Sequence, residues 1–336
     1  MDPSIDLSSD LSYRDFRDAN LTYADLIEAD LTGTNLANAD LTGADLTGAD
    51  LTQANLFSAN LTNANLSSAN MPGANLHLAN LTGANLNFAD LTGSNLEDAD
   101  LTRADLTAAD LTGVNLTEAN MADANLTDAN VTDAINWNSV NFGGVTSGGM
   151  TGIPASSPGG QLIINGHLVG PYVNLTGFNL PGAELTLTDL TGANLTRADL
   201  PGANLTYANL SEARLDGANL PGANLTGADL TYADLTDACM YGAKLSGANL
   251  TGANFYGANL TGADLTNANL TGADLTNADL TGVNLTDAVM TNAKLTRADL
   301  TGADLTGADL TGAWWEDTTS PSGVVQSTEC QRTAAG

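Results

Sequence analysis

The side chains able to do nucleophilic or metal chemistry are few: two His, His77 and His167, and two Cys, Cys239 and Cys330, set among abundant Asp. A nucleophilic triad needs a Ser or Cys within hydrogen-bond reach of a His that a third group orients. His77 follows Leu76 in a regular stretch and His167 lies in the apolar run Leu162-Ile163-Ile164-Asn165-Gly166-His167-Leu168-Val169. Neither has a Cys or carboxylate at zinc-ligand spacing along the chain, so both read as surface histidines. Carboxylates acting as general acid and base need a desolvated cleft. The Asp residues instead recur at regular intervals, as on a solvated face. Such a face attracts Ca²⁺ or Mg²⁺ loosely, and the Gly-Gly-x-Gly-x-Asp calcium repeat is absent. Gly143-Gly144, Gly148-Gly149 and Gly159-Gly160 are not followed by Gly-Lys-Ser/Thr and form no phosphate loop. Cys239, just before Met240, reads as an inert outward thiol. No catalytic residue, metal ligand or cofactor is assigned, and the expectation is a protein that is not an enzyme.

What positions these residues is a five-residue period: Ala, Asp or Asn, Leu, usually Thr, often Gly, as in Ala39-Asp40-Leu41-Thr42-Gly43 and Ala303-Asp304-Leu305-Thr306-Gly307. Apolar residues at every fifth position advance by about 500° on a helix and smear around it, which excludes an amphipathic helix. The Gly, Asn, Asp and Thr content favours turns. One corner per pentapeptide satisfies both, and the architecture is a solenoid. The Leu phase runs unbroken from Leu11 to Val131, slips by one residue at Trp137 and Phe142, and resumes from Leu175 to Trp315. The expected organisation is a lead-in over 1–10, a first coil segment over 11–142, an insertion over 143–172, a second segment over 173–315 and a polar, disordered tail over 316–336. Within the insertion, Leu162 to Val169 with its Asn-Gly centre predicts a β-hairpin leaving the coil.

The repeat resembles the pentapeptide repeat proteins, whose pattern of Ala, Asp/Asn, Leu/Phe and two free positions covers nearly all of the chain outside the insertion and tail. The resemblance implies an all-β fold: a right-handed quadrilateral parallel β-helix, four pentapeptides per coil. Leu and the Ala two residues earlier would point inward and the other three positions outward. Residues twenty apart then stack about 4.8 Å apart. One column reads Asn35, Asn55, Asn75, Asn95, Asn115, an amide ladder. Another reads Asp10, Asp30, Asp50, Asn70, Asp90, Asp110, where Asn interrupts like-charge stacking. The basic residues before Leu each have an Asp one coil away: Arg214 with Asp234, Lys244 with Asp264, Lys294 with Asp274. Open coil ends need protection, and Phe16 at the start and Trp314-Trp315 at the end are the expected caps.

A formal net charge of -30 repels nucleic acid and anionic membranes. The first twenty residues lack a basic start and apolar run, and no segment approaches a membrane span, so the expectation is cytoplasmic. The resemblance to the very regular members of that family found in bacteria implies a non-enzymatic acidic scaffold that binds a protein partner, of unspecified homo-oligomeric state, its acidity serving solubility. Candidate surfaces are the Asp column and the exposed residues Leu187, Tyr207, Tyr232, Tyr241 and Tyr256. The alternative is DNA mimicry. Coils totalling about 65 Å carry one net charge per about 2.2 Å, against about 1.7 Å for duplex DNA. The resemblance implies DNA gyrase as a partner, since some acidic members of that family bind it. Their Phe-rich centres and apolar C-terminal module are missing here. Single rather than paired Thr rows weigh against ice binding.

Overall fold

The computed structural model describes residues 10–155, 162–323 and 325–326. Most of the expected lead-in and tail, and Gly159-Gly160, lie outside them. The chain divides into two compact units, one ending at Val169 and the other beginning at Gly170.

Each unit is a coil of single-residue parallel β-bridges, one per pentapeptide, joined by turns. Conventional strands are therefore few. Asp40 bridges Asn60, which bridges Asn80, a spacing of twenty that recurs from Asn174↔Asn194 to Asp299↔Thr319. Leu41 N–H donates to Asn60 O (2.7 Å), Gly43 N–H to Thr62 O (2.9 Å), and Asn60 N–H to Ala39 O (2.9 Å). Ala44 N–H closes the corner on Leu41 O at 2.9 Å. Gly43, third residue of that corner, has φ 63°, the positive value a type II turn demands there. This is why Gly, Asn and Asp crowd the fifth position of the repeat.

Leu41, Ala44, Leu46 and Ala49 are wholly buried. A narrow bore takes one large and one small side chain per side, so Ala accompanies Leu. Each buried Leu contributes about 1.5–3 kcal/mol, repeated along the coil. The small slot also accepts Thr34, Ser94, Val114, Thr188 and Val283, and Thr34 Oγ1 satisfies itself by donating to Leu11 O at 2.8 Å.

The phase slip has a local cause. Asn115 bridges Ile135 at the usual spacing, but Asn120 bridges Asn141, a spacing of 21. A 3-10 turn, Trp137–Ser139, entered through Asn136 at φ 57°, absorbs the extra residue. Trp137 and Phe142 both stay inside, ring centroids 4.6 Å apart.

Parallel bridging continues past residue 142 to Asn125↔Thr146 and Asn130↔Thr151, so part of the stretch read as an insertion is coil. The hairpin is present: β1 (Leu162–Ile164) pairs antiparallel with β2 (His167–Val169), with Asn165 and Gly166 both at positive φ as a two-residue type I′ turn requires. It does not project from the coil. Leu168 and Val169 are fully buried, Leu168 N–H donates to Ser147 Oγ at 2.9 Å, and Met150 N–H donates to Gly166 O at 3.0 Å.

At the end of the second unit, β3 (Thr318–Thr319) pairs antiparallel with β4 (Val325–Gln326). Of the expected caps, Phe16 and Trp315 take inward positions and are half-buried. Trp314 does not join the lid: it occupies the Asp position, bridges Lys294 and is 57% exposed. Among the described residues no helix is long and apolar enough to cross a membrane.

Candidate functional site

The outward positions form the surface, and their polar side chains first serve the coil. Asp50 Oδ1 accepts the Thr52 N–H at 2.9 Å and the Thr52 hydroxyl, an Asx-type turn that fixes the corner. Asn70 Nδ2, one coil on, donates to Asp50 Oδ1 (3.2 Å) and Thr52 Oγ1 (3.0 Å). The same pair recurs from Asn60 to Asp40 and Thr42, from Asn130 to Asp110 and Thr112, and from Asn249 to Asp229 and Thr231. The ladder therefore has a direction: an Asn donates to the residue one coil earlier, and an Asp in the same place cannot. The all-amide column follows the rule, with Asn55 donating to Asn35 (3.0 Å), Asn75 to Asn55 (3.0 Å) and Asn115 to Asn95 (2.9 Å).

In the acidic column, Asp30 bridges Asp50, Asn70 separates Asp50 from Asp90, and Asp90 bridges Asp110. Asp10 is exposed at the start of the described coil. The Thr52 hydroxyl holds the Asp50 carboxyl below its ordinary range against the opposing effect of burial, helped by the Thr52 N–H and Asn70. At Asp100 burial pushes up, but hydrogen bonds from Thr102, Thr82 and Asn120 together prevail and lower it.

The three expected ion pairs are neighbours across one coil, as the bridges Arg214↔Asp234, Lys244↔Asp264 and Asp274↔Lys294 show. Only Lys294–Asp274 closes among the described residues, at 3.1 Å. Arg214 turns instead to Asp216 at 3.3 Å, because a residue two positions on lies beside it on the same side of the coil.

Leu187, Tyr207, Tyr232, Tyr241 and Tyr256 are all exposed, but only Leu187 and Tyr207 share a column. Tyr232 sits at the next corner, and Tyr241 and Tyr256 follow Met240 and Phe255 on other sides of the coil. The Tyr207 and Tyr232 rings lie over Gly227 and Gly252, where a Cβ would collide with them. Sequence reasoning missed this pairing, although Tyr followed twenty residues later by Gly also marks Tyr13 with Gly33 and Tyr172 with Gly192.

His77 stacks on Phe57 as its column implies, centroids 5.5 Å apart. It is not without carboxylate neighbours. Glu97, one coil on, and Asp98 beside it bring ligand atoms that lie, with a His77 ring nitrogen, within 4.8 Å of one another. The signal was the spacing of twenty rather than local spacing along the chain. His167 has its Nδ1 3.3 Å from Ser147 O. Cys239 is half-buried with a free thiol, and its backbone bridges Asn219 and Asn259.

Comparison with curated protein sequences returns no match. Among solved structures, the chain is similar to HetL, a pentapeptide repeat protein involved in heterocyst differentiation regulation from the cyanobacterium Nostoc sp. Strain PCC 7120, with 31% identity over 77% of this chain and 92% of that one, TM-score 0.42. It is also similar to QnrB1, a plasmid-mediated fluoroquinolone resistance protein, with 16% identity over 76% and 88% of the two chains, TM-score 0.22. A third is the pentapeptide repeat protein Rfr23 from the cyanobacterium Cyanothece 51142, with 24% identity over 43% and 91%, TM-score 0.24. The family model for pentapeptide repeats matches residues 15–53, 59–98, 99–135, 172–206, 208–247, 248–287 and 273–312. With Leu and Ala inside, a twenty-residue coil and these matches over most of its length, the chain belongs to the pentapeptide repeat family and is a right-handed quadrilateral β-helix.

Proposed function

We propose that the protein is a non-enzymatic, acidic interaction scaffold of the cytoplasm whose outward columns meet a protein partner. The observation that carries this reading is the use made of the Asp, Asn and Thr side chains: where an Asn follows one coil on, as Asn70 follows Asp50, one oxygen of the Asp is spent on its own corner and on that Asn. What the ladder leaves for a partner is a surface of side chains held at fixed pitch, recognised by its shape rather than by its charge. A preorganised surface of this kind favours binding, since little ordering entropy is lost on contact. Its charge repels nucleic acid directly.

The charge density supports a second reading, a DNA mimic that engages DNA gyrase or another DNA-binding protein. Against it, the column from Asn35 to Asn115 is neutral, and Asn breaks the acidic column at Asn70. Duplex DNA has no such uncharged steps. The test is capture from the source organism's lysate on the full chain, beside a variant with Asp30, Asp50, Asp90 and Asp110 changed to Asn. A partner held by both at moderate salt supports the scaffold. A partner lost from the variant and released by salt supports mimicry, and submicromolar block of gyrase supercoiling would identify gyrase as its target.

A further inference from the structure

We propose that His77, Glu97 and Asp98 form a surface site for one divalent transition-metal ion of the Zn²⁺ class. The β-helix places the three on one side of the first unit, where the neighbouring ladder position is neutral Asn. His77 Nδ1 stands 3.9 Å from Asp98 Oδ2, and one ligand atom from each residue falls within 4.8 Å of the other two. Bonds of about 2.0–2.2 Å to a shared ion need these atoms about 3–3.5 Å apart. Closing by about 1 Å is within reach of rotamer changes, because Asp98 is an exposed side chain.

The surroundings suit this use. Phe57 packs against the imidazole. Asn115 Nδ2 donates to Glu97 Oε2 at 3.4 Å, a partner of the sort that orients a ligating carboxylate. His77 Nδ1 rests 2.9 Å from Glu97 O. That carbonyl also accepts the Leu78 N–H at 3.0 Å, so turning the ring nitrogen to a cation does not orphan it. One imidazole with two carboxylates prefers borderline ions such as Zn²⁺ or Co²⁺ over Mg²⁺ and Ca²⁺, which seek oxygen alone. The negative field of the whole chain raises the local concentration of cations without selecting among them.

The chain has only two histidines, so their ring signals report the site individually. The full-length protein is titrated with ZnCl₂ in excess Mg²⁺, which fills diffuse acidic sites, and followed by ¹H–¹³C correlation of the two imidazoles and by calorimetry. The expected result is saturable movement of the His77 signals at one equivalent while those of His167 stay in place. His77→Ala and Asp98→Asn should each weaken that binding about tenfold or more, a loss of one ligand worth at least about 1.4 kcal/mol, with far-UV circular dichroism unchanged. Asp98→Asn keeps the Phe57–His77 stack, so it separates loss of a ligand from loss of fold. Unmoved His77 signals, parallel drift of both histidines, or Zn²⁺ affinity equal in wild type and Asp98→Asn would overturn the site.

Discussion

Changing Asn70 to Asp would join Asp30, Asp50, Asp90 and Asp110 into an unbroken carboxylate column. Two effects follow. The hydrogen bonds from Asn70 Nδ2 to Asp50 Oδ1 and Thr52 Oγ1 are lost, each worth about 0.5–1.5 kcal/mol net. The new carboxylate also faces Asp50 and Asp90 across one strand spacing of about 4.8 Å. At that distance Coulomb's law gives about 1 kcal/mol per pair in bulk water and about 3.5 at an effective dielectric of 20; a half-buried column lies toward the lower end. The expected cost is about 3–5 kcal/mol at neutral pH and low salt, or about 10 °C in Tm at about 3 °C per kcal/mol. Asn55→Asp is the control, because Asn55 lies between Asn35 and Asn75. It loses its donor bond but meets no like charge, and should cost about 1 kcal/mol. Thermal melts of both variants at low and high salt, and at pH 7 and 3, read the difference. It should shrink with salt and, as pH falls through the range of the carboxylates, narrow toward the one extra hydrogen bond that Asn70→Asp loses, about 0.5–1.5 kcal/mol. Equal melting of the two variants at neutral pH and low salt would refute the directional ladder.

Three further outcomes are expected. Gly227→Ala forces a Cβ into the Tyr207 ring whereas Gly222→Ala meets nothing within 4 Å; both bear a left-handed backbone penalty of about 1–2 kcal/mol, so the former should melt lower in parallel denaturation scans. Asp100 is held below the ordinary carboxylate range, so its stabilisation is complete above the unfolded pKa of about 3.9 and is lost as pH falls through the lower folded value. Asp100→Asn should thus flatten the part of the stability profile that falls as pH drops through that range, measured by urea unfolding across pH. Trp137→Ala empties the space against Phe142 and should cost about 3–5 kcal/mol, seen as a lowered urea midpoint, with hydrogen exchange locating the loosened coil.

The period alone carried the coil, because a twenty-residue repeat turns chain distance into spatial adjacency. Asn35 over Asn55 and Lys294 over Asp274 could be read off without coordinates. Features decided by rotamers were not legible. Arg214 is one coil from Asp234 and chooses Asp216, a competition that columns do not resolve. Trp314 fills an Asp position by phase, and that phase, rather than its apolar character, sets its outward direction. The coil beyond residue 142 was hidden because Ser147 takes an inner place where the pattern requires Leu, its hydroxyl engaged by Leu168 N–H. The His77 cluster was hidden by judging ligand spacing along the chain when twenty residues was the relevant step.

The proposed scaffold role requires that laddered carboxylates serve the coil and that a partner recognises the coil surface by its shape. Salt dependence of the captured complex tests this most directly, as the slope of log K against log salt concentration. Recognition by shape predicts a shallow slope, little altered when Asp30, Asp50, Asp90 and Asp110 are changed to Asn. A steep slope approaching that of a DNA-binding protein on duplex, about 0.9 per neutralised phosphate, and flattened by those substitutions would contradict it and establish the acidic coil surface as a surrogate for DNA.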